Sequence, residues 1–104
     1  MANLRRGEIS AVIDGEEKRL CLTLGALAEL EARLQAGDLN GLAERFSGGR
    51  ISARDLTAIL GAGLRGAGNA ITDDDLARMA IEGGLAGAAE TAARLLRATF
   101  GDAP

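Results

Sequence analysis

The sequence contains no histidine, tryptophan or tyrosine, and only two phenylalanines, one cysteine and one proline among its 104 residues. Without histidine, the lone Cys21 lacks the usual base partner of a catalytic thiol, and it cannot form an internal disulfide. We therefore interpret Cys21 as a small apolar residue in a strand. Because aromatic residues are scarce, aliphatic side chains must fill the core, which predicts modest stability for an isolated monomer.

Long hydrophobic runs and an excess of positive charge are also absent. No apolar stretch approaches the roughly 18–20 residues of a membrane span, and no apolar run follows the N-terminal arginines as in a signal peptide. Twelve basic residues against fifteen acidic ones give a net charge of −3, whereas nucleic-acid-binding domains are normally basic. We therefore expect a cytoplasmic protein that binds neither nucleic acid nor membrane.

The chain has the length of one domain, 1–104, with 1–6 as a flexible N-terminal arm. Residues 7–23 predict a β-hairpin, because Asp14-Gly15 is a strong turn signal between two alternating segments. A loop of two or four residues places these apolar residues on one face: Ile9, Ala11, Ile13, Leu20 and Leu22. Since a lone hairpin is marginal in water, this face must pack on helices.

Apolar residues at helical spacing predict four or five short helices after the hairpin, which gives an α+β fold that is mainly α. Their expected bounds are 24–36, 38–46, 52–65, 72–82 and 85–100. In the first helix, Thr23 is the predicted N-cap and Glu29 and Arg33 form an i,i+4 pair. The predicted apolar stripe of this helix consists of Leu24, Leu27, Ala28, Leu30 and Leu34.

Two helix starts use the same capping pattern, "ISARDL" at 51–56 and "ITDDDL" at 71–76. Ser52 and Thr72 are the predicted N-caps, and the acids three residues later can reach back to the backbone of the cap. The flanking pairs Ile51–Leu56 and Ile71–Leu76 are candidate hydrophobic staples. The pattern therefore predicts where these two helices begin.

The segments that could carry chemistry have simpler structural interpretations. The three acids of 73–75 point about 100° apart around a helix, so they suit the helix dipole better than one metal ion. The glycines of "GAGLRGAG" at 61–68 end a helix, where exposed carbonyls repel phosphate. We interpret Gly61 and Gly63 as allowing close helix packing, and Gly66 and Gly68 as forming a bend. We nominate no catalytic, metal-binding or cofactor-binding residue and predict that the protein is not an enzyme.

Residues 7–34, "GEISAVIDGEEKRLCLTLGALAELEARL", resemble the opening of small tail proteins of gene transfer agents and related tailed phages. These proteins are encoded among the tail genes and are described as tail-assembly-chaperone-like or as tail tube proteins. The resemblance rests on Gly7-Glu8, Asp14-Gly15, 22–27, Leu30-Glu31, 52–56 and 63–68. It implies a non-enzymatic role in a bacterial host, as a chaperone that binds tape-measure or tail-tube protein. A structural tail component that forms rings, and hence a homo-oligomer in the virion, is the alternative, and a small DNA-binding regulator is less favoured.

A helical partner would require aliphatic residues that the core leaves exposed. The stripe of the first helix and the end of the last helix are candidates, although such stripes mostly pack into their own core. The short helix at 38–46 offers the better candidates. The predicted partner surface therefore consists of Leu39, Leu42, Phe46, Leu95, Leu96 and Phe100.

Overall fold

The structure is a computed structural model and describes residues 7–34 and 52–100. Its elements are β1 (Glu8–Ile13), β2 (Glu16–Cys21), α1 (Leu24–Leu34), α2 (Ala53–Gly66), α3 (Asp73–Ala77) and α4 (Gly84–Phe100). The predicted fold class, a hairpin on helices with mainly α structure, is confirmed. The predicted arm at 1–6, the helix at 38–46 and the surface residues Leu39, Leu42 and Phe46 lie outside the described residues.

The hairpin turns at the predicted Asp14-Gly15, and of the two loop lengths considered it has the two-residue loop. Asp14 and Gly15 both have positive φ, at 55° and 78°, as a two-residue type I′ turn requires. The two strands are antiparallel, and Ile9 is paired with Leu20. Ile9, Ile13 and Leu20 are all buried, so the predicted apolar face is the one that packs on the helices.

The helix predicted at 72–82 is wrong beyond Ala77, where α3 ends after five residues. Ile81 instead forms an isolated antiparallel bridge with Ile13. The Asp14 N–H donates to the carbonyl of Ala80 at 2.6 Å, and the Glu82 N–H donates to the carbonyl of Val12 at 3.1 Å. The outer edge of β1 therefore supplies hydrogen-bond partners that make an extended chain, rather than another helical turn, the favourable conformation here.

Helix α2 lies at the centre of the domain and packs against α1, β2, α3 and α4. Its glycines allow this close approach. A Cβ at Gly63 would lie 2.6 Å from Leu95 Cδ2, so the prediction of close packing is confirmed there. Gly66 is the last residue of α2 rather than part of the bend, and its backbone lies directly against the carbonyl of Cys21. Gly68, with φ of 96°, forms the bend itself.

The three predicted N-caps are confirmed, at the starts of α1, α2 and α3. The hydroxyl oxygens of Thr23, Ser52 and Thr72 each accept a hydrogen bond from the backbone N–H three residues later, at 3.0–3.1 Å. At α3 the Asp75 carboxylate also accepts from the Thr72 N–H at 3.1 Å, which completes a capping box. The local sequence therefore sets where these helices begin.

The capping box predicts a pH-dependent stability. Hydrogen bonds from the Thr72 backbone and then from its side chain hold the pKa of Asp75 below its usual range. The pKa of Asp75 is lower in the folded protein than in the unfolded chain, so the ionised carboxylate stabilises the folded state. This contribution is complete above the unfolded pKa of about 4 and is lost as the pH falls through the folded pKa. The difference in unfolding free energy between the wild type and Asp75→Asn should therefore shrink as urea titrations move from pH 6 to pH 3. Asp74→Asn, at an exposed position in the same turn, is the control, and an equal pH dependence in both variants would contradict the prediction.

Candidate interaction surface

An apolar groove of about 390 Å³ lies between α2, α3, the segment 79–81 and the start of α4. Its floor consists of Leu56, Leu60 and Leu76, which are buried. Met79 and Ile81 are half-buried along its walls. Leu85 lies at the rim with 70% of its surface exposed, although it is a large aliphatic residue at the start of a helix.

The groove stays open because the elements around it are short and carry small side chains. On α2, Ala53, Leu56, Thr57 and Leu60 follow the i, i+3, i+4, i+7 spacing of one helix face, about two turns or roughly 10 Å long. Helix α3 ends after five residues, before it can cover this face. Gly84 then begins α4 without a side chain. One face of α2 is therefore partly accessible from outside at Ala53 and Thr57, with Leu56 and Leu60 buried beneath them.

The lining of the groove is suited to packing rather than to catalysis. Thr57 carries the one polar side chain among the lining residues, and its hydroxyl donates to the carbonyl of Ala53 at 2.8 Å. No ionisable side chain is among them. An accessible aliphatic groove along a helix is the type of site that accepts the apolar face of an amphipathic helix.

Four charged side chains form a closed ion ring, defined as Glu29, Arg33, Arg65 and Asp73. Arg65 donates to the Glu29 carboxylate through Nη2 and to Asp73 Oδ1 through Nη1 at 2.9 Å. Arg33 lies with Nε 3.8 Å from Glu29 Oε1, which confirms the predicted i,i+4 pair. Its Nη1 donates to the other carboxylate oxygen of Asp73 and closes the ring. The ring joins α1 to α2 and to the first residue of α3.

Arg65 is the most connected member of this ring. Burial by itself would lower the pKa of Arg65, but the hydrogen bonds and charges of Glu29 and Asp73 together outweigh it and raise the pKa. Nη1 also donates to the carbonyl of Ile71 at 3.0 Å. Gly61 makes room for the ring, since a Cβ there would collide with the Asp73 carboxylate and lie 3.1 Å from Arg65 Nη1.

The predicted partner residues in the described part of the chain are divided between core and surface. Leu95 and Leu96 are buried, because this face of α4 packs against α2 and the hairpin, so they are not available to a partner in this fold. Phe100 is half exposed at the end of α4. On α1, Leu30 is buried whereas Leu24 is 85% exposed.

Sequence reasoning missed the groove and its rim residue Leu85. The sequence predicts helices over 72–82 and 85–100 and does not predict an open groove beside them. One signal was present: Gly83-Gly84 immediately precedes Leu85, and glycine pairs mark a turn or loop that interrupts a helical pattern. This signal does not show that Leu85 stays exposed, because that depends on the end of α3 at Ala77.

Two of the three acids at 73–75 have structural partners. Asp73 belongs to the ion ring and Asp75 to the capping box. Within 7–34 and 52–100, no group of three or more acidic or cysteine side chains is arranged to hold a metal ion. Burial and the nearby Glu8 raise the pKa of the Cys21 thiol, which favours its protonated, less nucleophilic form. The helices of the described residues are all too short or too polar to cross a membrane.

Both edges of the hairpin already have hydrogen-bond partners, at more than one position on β1 and at one position on β2. On β1, the carbonyl of Val12 accepts from the Glu82 N–H and that of Ser10 from the guanidinium of Arg94, each at 3.1 Å. On β2, the Asn69 side-chain amide donates to the carbonyl of Arg19 at 2.9 Å. These contacts oppose the addition of a further strand at the same positions.

The comparison with protein families agrees with the resemblance seen in the sequence. A family model described as "Phage tail tube protein, GTA-gp10" matches residues 6–102, which covers nearly the whole chain. No curated protein and no solved structure matches significantly. The family assignment therefore rests on the match over this range.

Proposed function

Because the chain belongs to the phage tail tube protein family of GTA-gp10, we propose that it is a non-enzymatic tail assembly protein that binds tape-measure or tail-tube protein as a chaperone. Membership in this family implies contacts with other proteins of a tail. The chaperone role and the identity of the client are our proposal. Such a protein would act in the cytoplasm of the bacterial host while the tail is built.

The apolar groove is the observation that supports this proposal best. Its accessible lining is apolar apart from Thr57, whereas most other large aliphatic side chains among residues 7–34 and 52–100 lie in the core. Tape-measure proteins are long helical proteins, so we propose that an amphipathic helix of the tape-measure protein occupies the groove. Leu85 would then pack against the apolar face of this helix, and its burial would contribute to the binding free energy.

The variant Leu85→Glu should reduce binding of the tape-measure protein at least tenfold while leaving the fold intact. The charge would enter an apolar interface, but in the free protein Leu85 is 70% exposed, so the substitution costs little stability. Co-expression with the neighbouring tape-measure gene, followed by quantitative pull-down, measures the effect.

The matched control is Leu24→Glu, which places the same charge at a leucine that is 85% exposed on α1 and does not line the groove. It should retain wild-type binding. Full binding by Leu85→Glu, or an equal loss in both variants, would refute the groove as the binding surface. Circular dichroism of both variants checks that they are folded.

A structural component that forms rings in the tail is the second candidate, and the family's description as a tail tube protein favours it. The two candidates differ in what finished particles contain. A chaperone co-purifies with its client and is absent from purified tails, whereas a ring subunit is present in stoichiometric amounts and oligomerises. Mass spectrometry of purified particles separates them, and stoichiometric protein in finished tails would overturn the chaperone proposal. The hydrogen bonds at the hairpin edges oppose ring formation by strand addition.

A further inference from the structure

Helix α1 is attached to the rest of the domain mainly through one neighbour, α2. Its buried side chains among 24–33 are Ala26 and Leu30, and Leu27 is half-buried. In contrast, α4 packs on α2 and on both strands. The apolar contact of α1 is therefore made mainly with one neighbour, and the ion ring adds polar contacts to α2 and to the first residue of α3.

The ion ring divides into two halves that belong to different parts of the fold. Arg65 and Asp73 are joined to each other at 2.9 Å, and Arg65 is also hydrogen-bonded to the Ile71 carbonyl, so both stay in place without α1. Glu29 and Arg33 lie on α1 and are paired with each other at 3.8 Å. If α1 moves away, each half keeps one internal ion pair, and only the contacts between the halves are lost.

Solvent reaches every member of the ring. The exposed side-chain fraction ranges from 16% at Asp73 to 51% at Arg33. Rising salt therefore weakens the attraction between the halves, because dissolved ions reach these partly exposed charges and compete with their partners. The apolar contacts elsewhere in the domain are not weakened in this way.

From this arrangement we propose that the ion ring holds α1 as a separable unit, which opens with rising salt while the hairpin, α2 and α4 stay folded. Opening exposes Leu30, Ala26 and the α2 backbone at Gly66, which lies against Ala26 in the closed form. This conformational step goes beyond the proposed function and does not depend on the identity of a partner. It makes an additional apolar surface available under control of ionic strength.

Hydrogen exchange of the full chain, followed by mass spectrometry of its peptides, tests the proposal. In the wild type, amides of 24–34 should exchange at least tenfold faster in 1 M than in 0.05 M NaCl, while those of α4 change less than twofold. Glu29→Gln should produce the same acceleration at low salt and remove most of the salt dependence. Glutamine has nearly the same helix propensity as glutamate, so the change reports the lost ion pairs.

Glu31→Gln is the matched control, since Glu31 is exposed and lies about 200° around the helix axis from Glu29. It should leave exchange within twofold of the wild type everywhere. Exchange of α1 that is unchanged in Glu29→Gln would overturn the proposal. An equal acceleration in α1, α2 and α4 would also overturn it, because that pattern indicates global unfolding rather than separate opening of α1.

Discussion

Gly66→Ala should destabilise the protein by about 3 kcal/mol, enough to remove much of the stability of a domain this size. An added Cβ would collide with the carbonyl oxygen of Cys21 and lie 3.2 Å from its carbonyl carbon. It would also lie 3.3 Å from the Cβ of Ala26, so movement in that direction is blocked too. Because the obstacle is the β2 backbone, the collision can be removed only if α2 moves away from the hairpin. Thermal unfolding should show a midpoint lower by about 10–20 °C.

The control is Gly25→Ala, also a glycine within a helix. The nearest atom to a Cβ at Gly25 is the Thr23 hydroxyl oxygen at 4.0 Å, so alanine fits without a collision. Alanine has the higher helix propensity, so this variant should be as stable as the wild type or more stable by up to about 1 kcal/mol. Loss of stability in Gly25→Ala, or an unchanged midpoint in Gly66→Ala, would contradict the packing of α2 on β2 described above.

Leu64→Ala should reduce the free energy of unfolding by about 2–5 kcal/mol. Leu64 is completely buried in α2, the helix that contacts α1, β2, α3 and α4. Truncation removes apolar contact area and leaves a cavity that these neighbours cannot close without moving together. Urea unfolding should show a lower midpoint with an unchanged slope, because the surface exposed on unfolding remains similar.

Leu24→Ala is the matched truncation, because Leu24 is 85% exposed at the start of α1. Its free energy of unfolding should stay within about 0.5 kcal/mol of the wild type. This comparison tests the orientation of α1 directly. The periodicity of the sequence predicts that Leu24 lies in the apolar stripe, so a cost in Leu24→Ala similar to that in Leu64→Ala would favour that orientation over the structure's.

The apolar stripe of α1 shows why periodicity alone does not select a buried face. Leu24, Leu27 and Leu30 follow helical spacing, yet the structure buries Leu30 with Ala26 and leaves Leu24 in solvent. Ala26 is buried because Gly66 of α2 allows the two backbones to approach closely. A small residue therefore occupies the contact, and this choice depends on a glycine 40 positions away in the sequence.

The candidate site was less predictable than the fold for the same reason. The sequence predicted the Glu29–Arg33 pair, since both residues lie on one helix. It did not predict Arg65 and Asp73 as their partners, which are 36 and 40 residues away in sequence. The groove forms where α2, α3, the segment 79–81 and the start of α4 come together, and the local sequence of each does not indicate where the others lie.

The sequence by itself determined the features that depend on residues within about four positions of each other. These are the Asp14-Gly15 turn and the capped helix starts at Thr23, Ser52 and Thr72. Only the tertiary structure decided that α3 ends at Ala77, that Ile81 pairs with Ile13 and that Leu85 remains exposed beside an open groove. The physical reason is that turns and caps satisfy their own backbone locally, whereas burial and edge pairing depend on partners that the folded chain brings together.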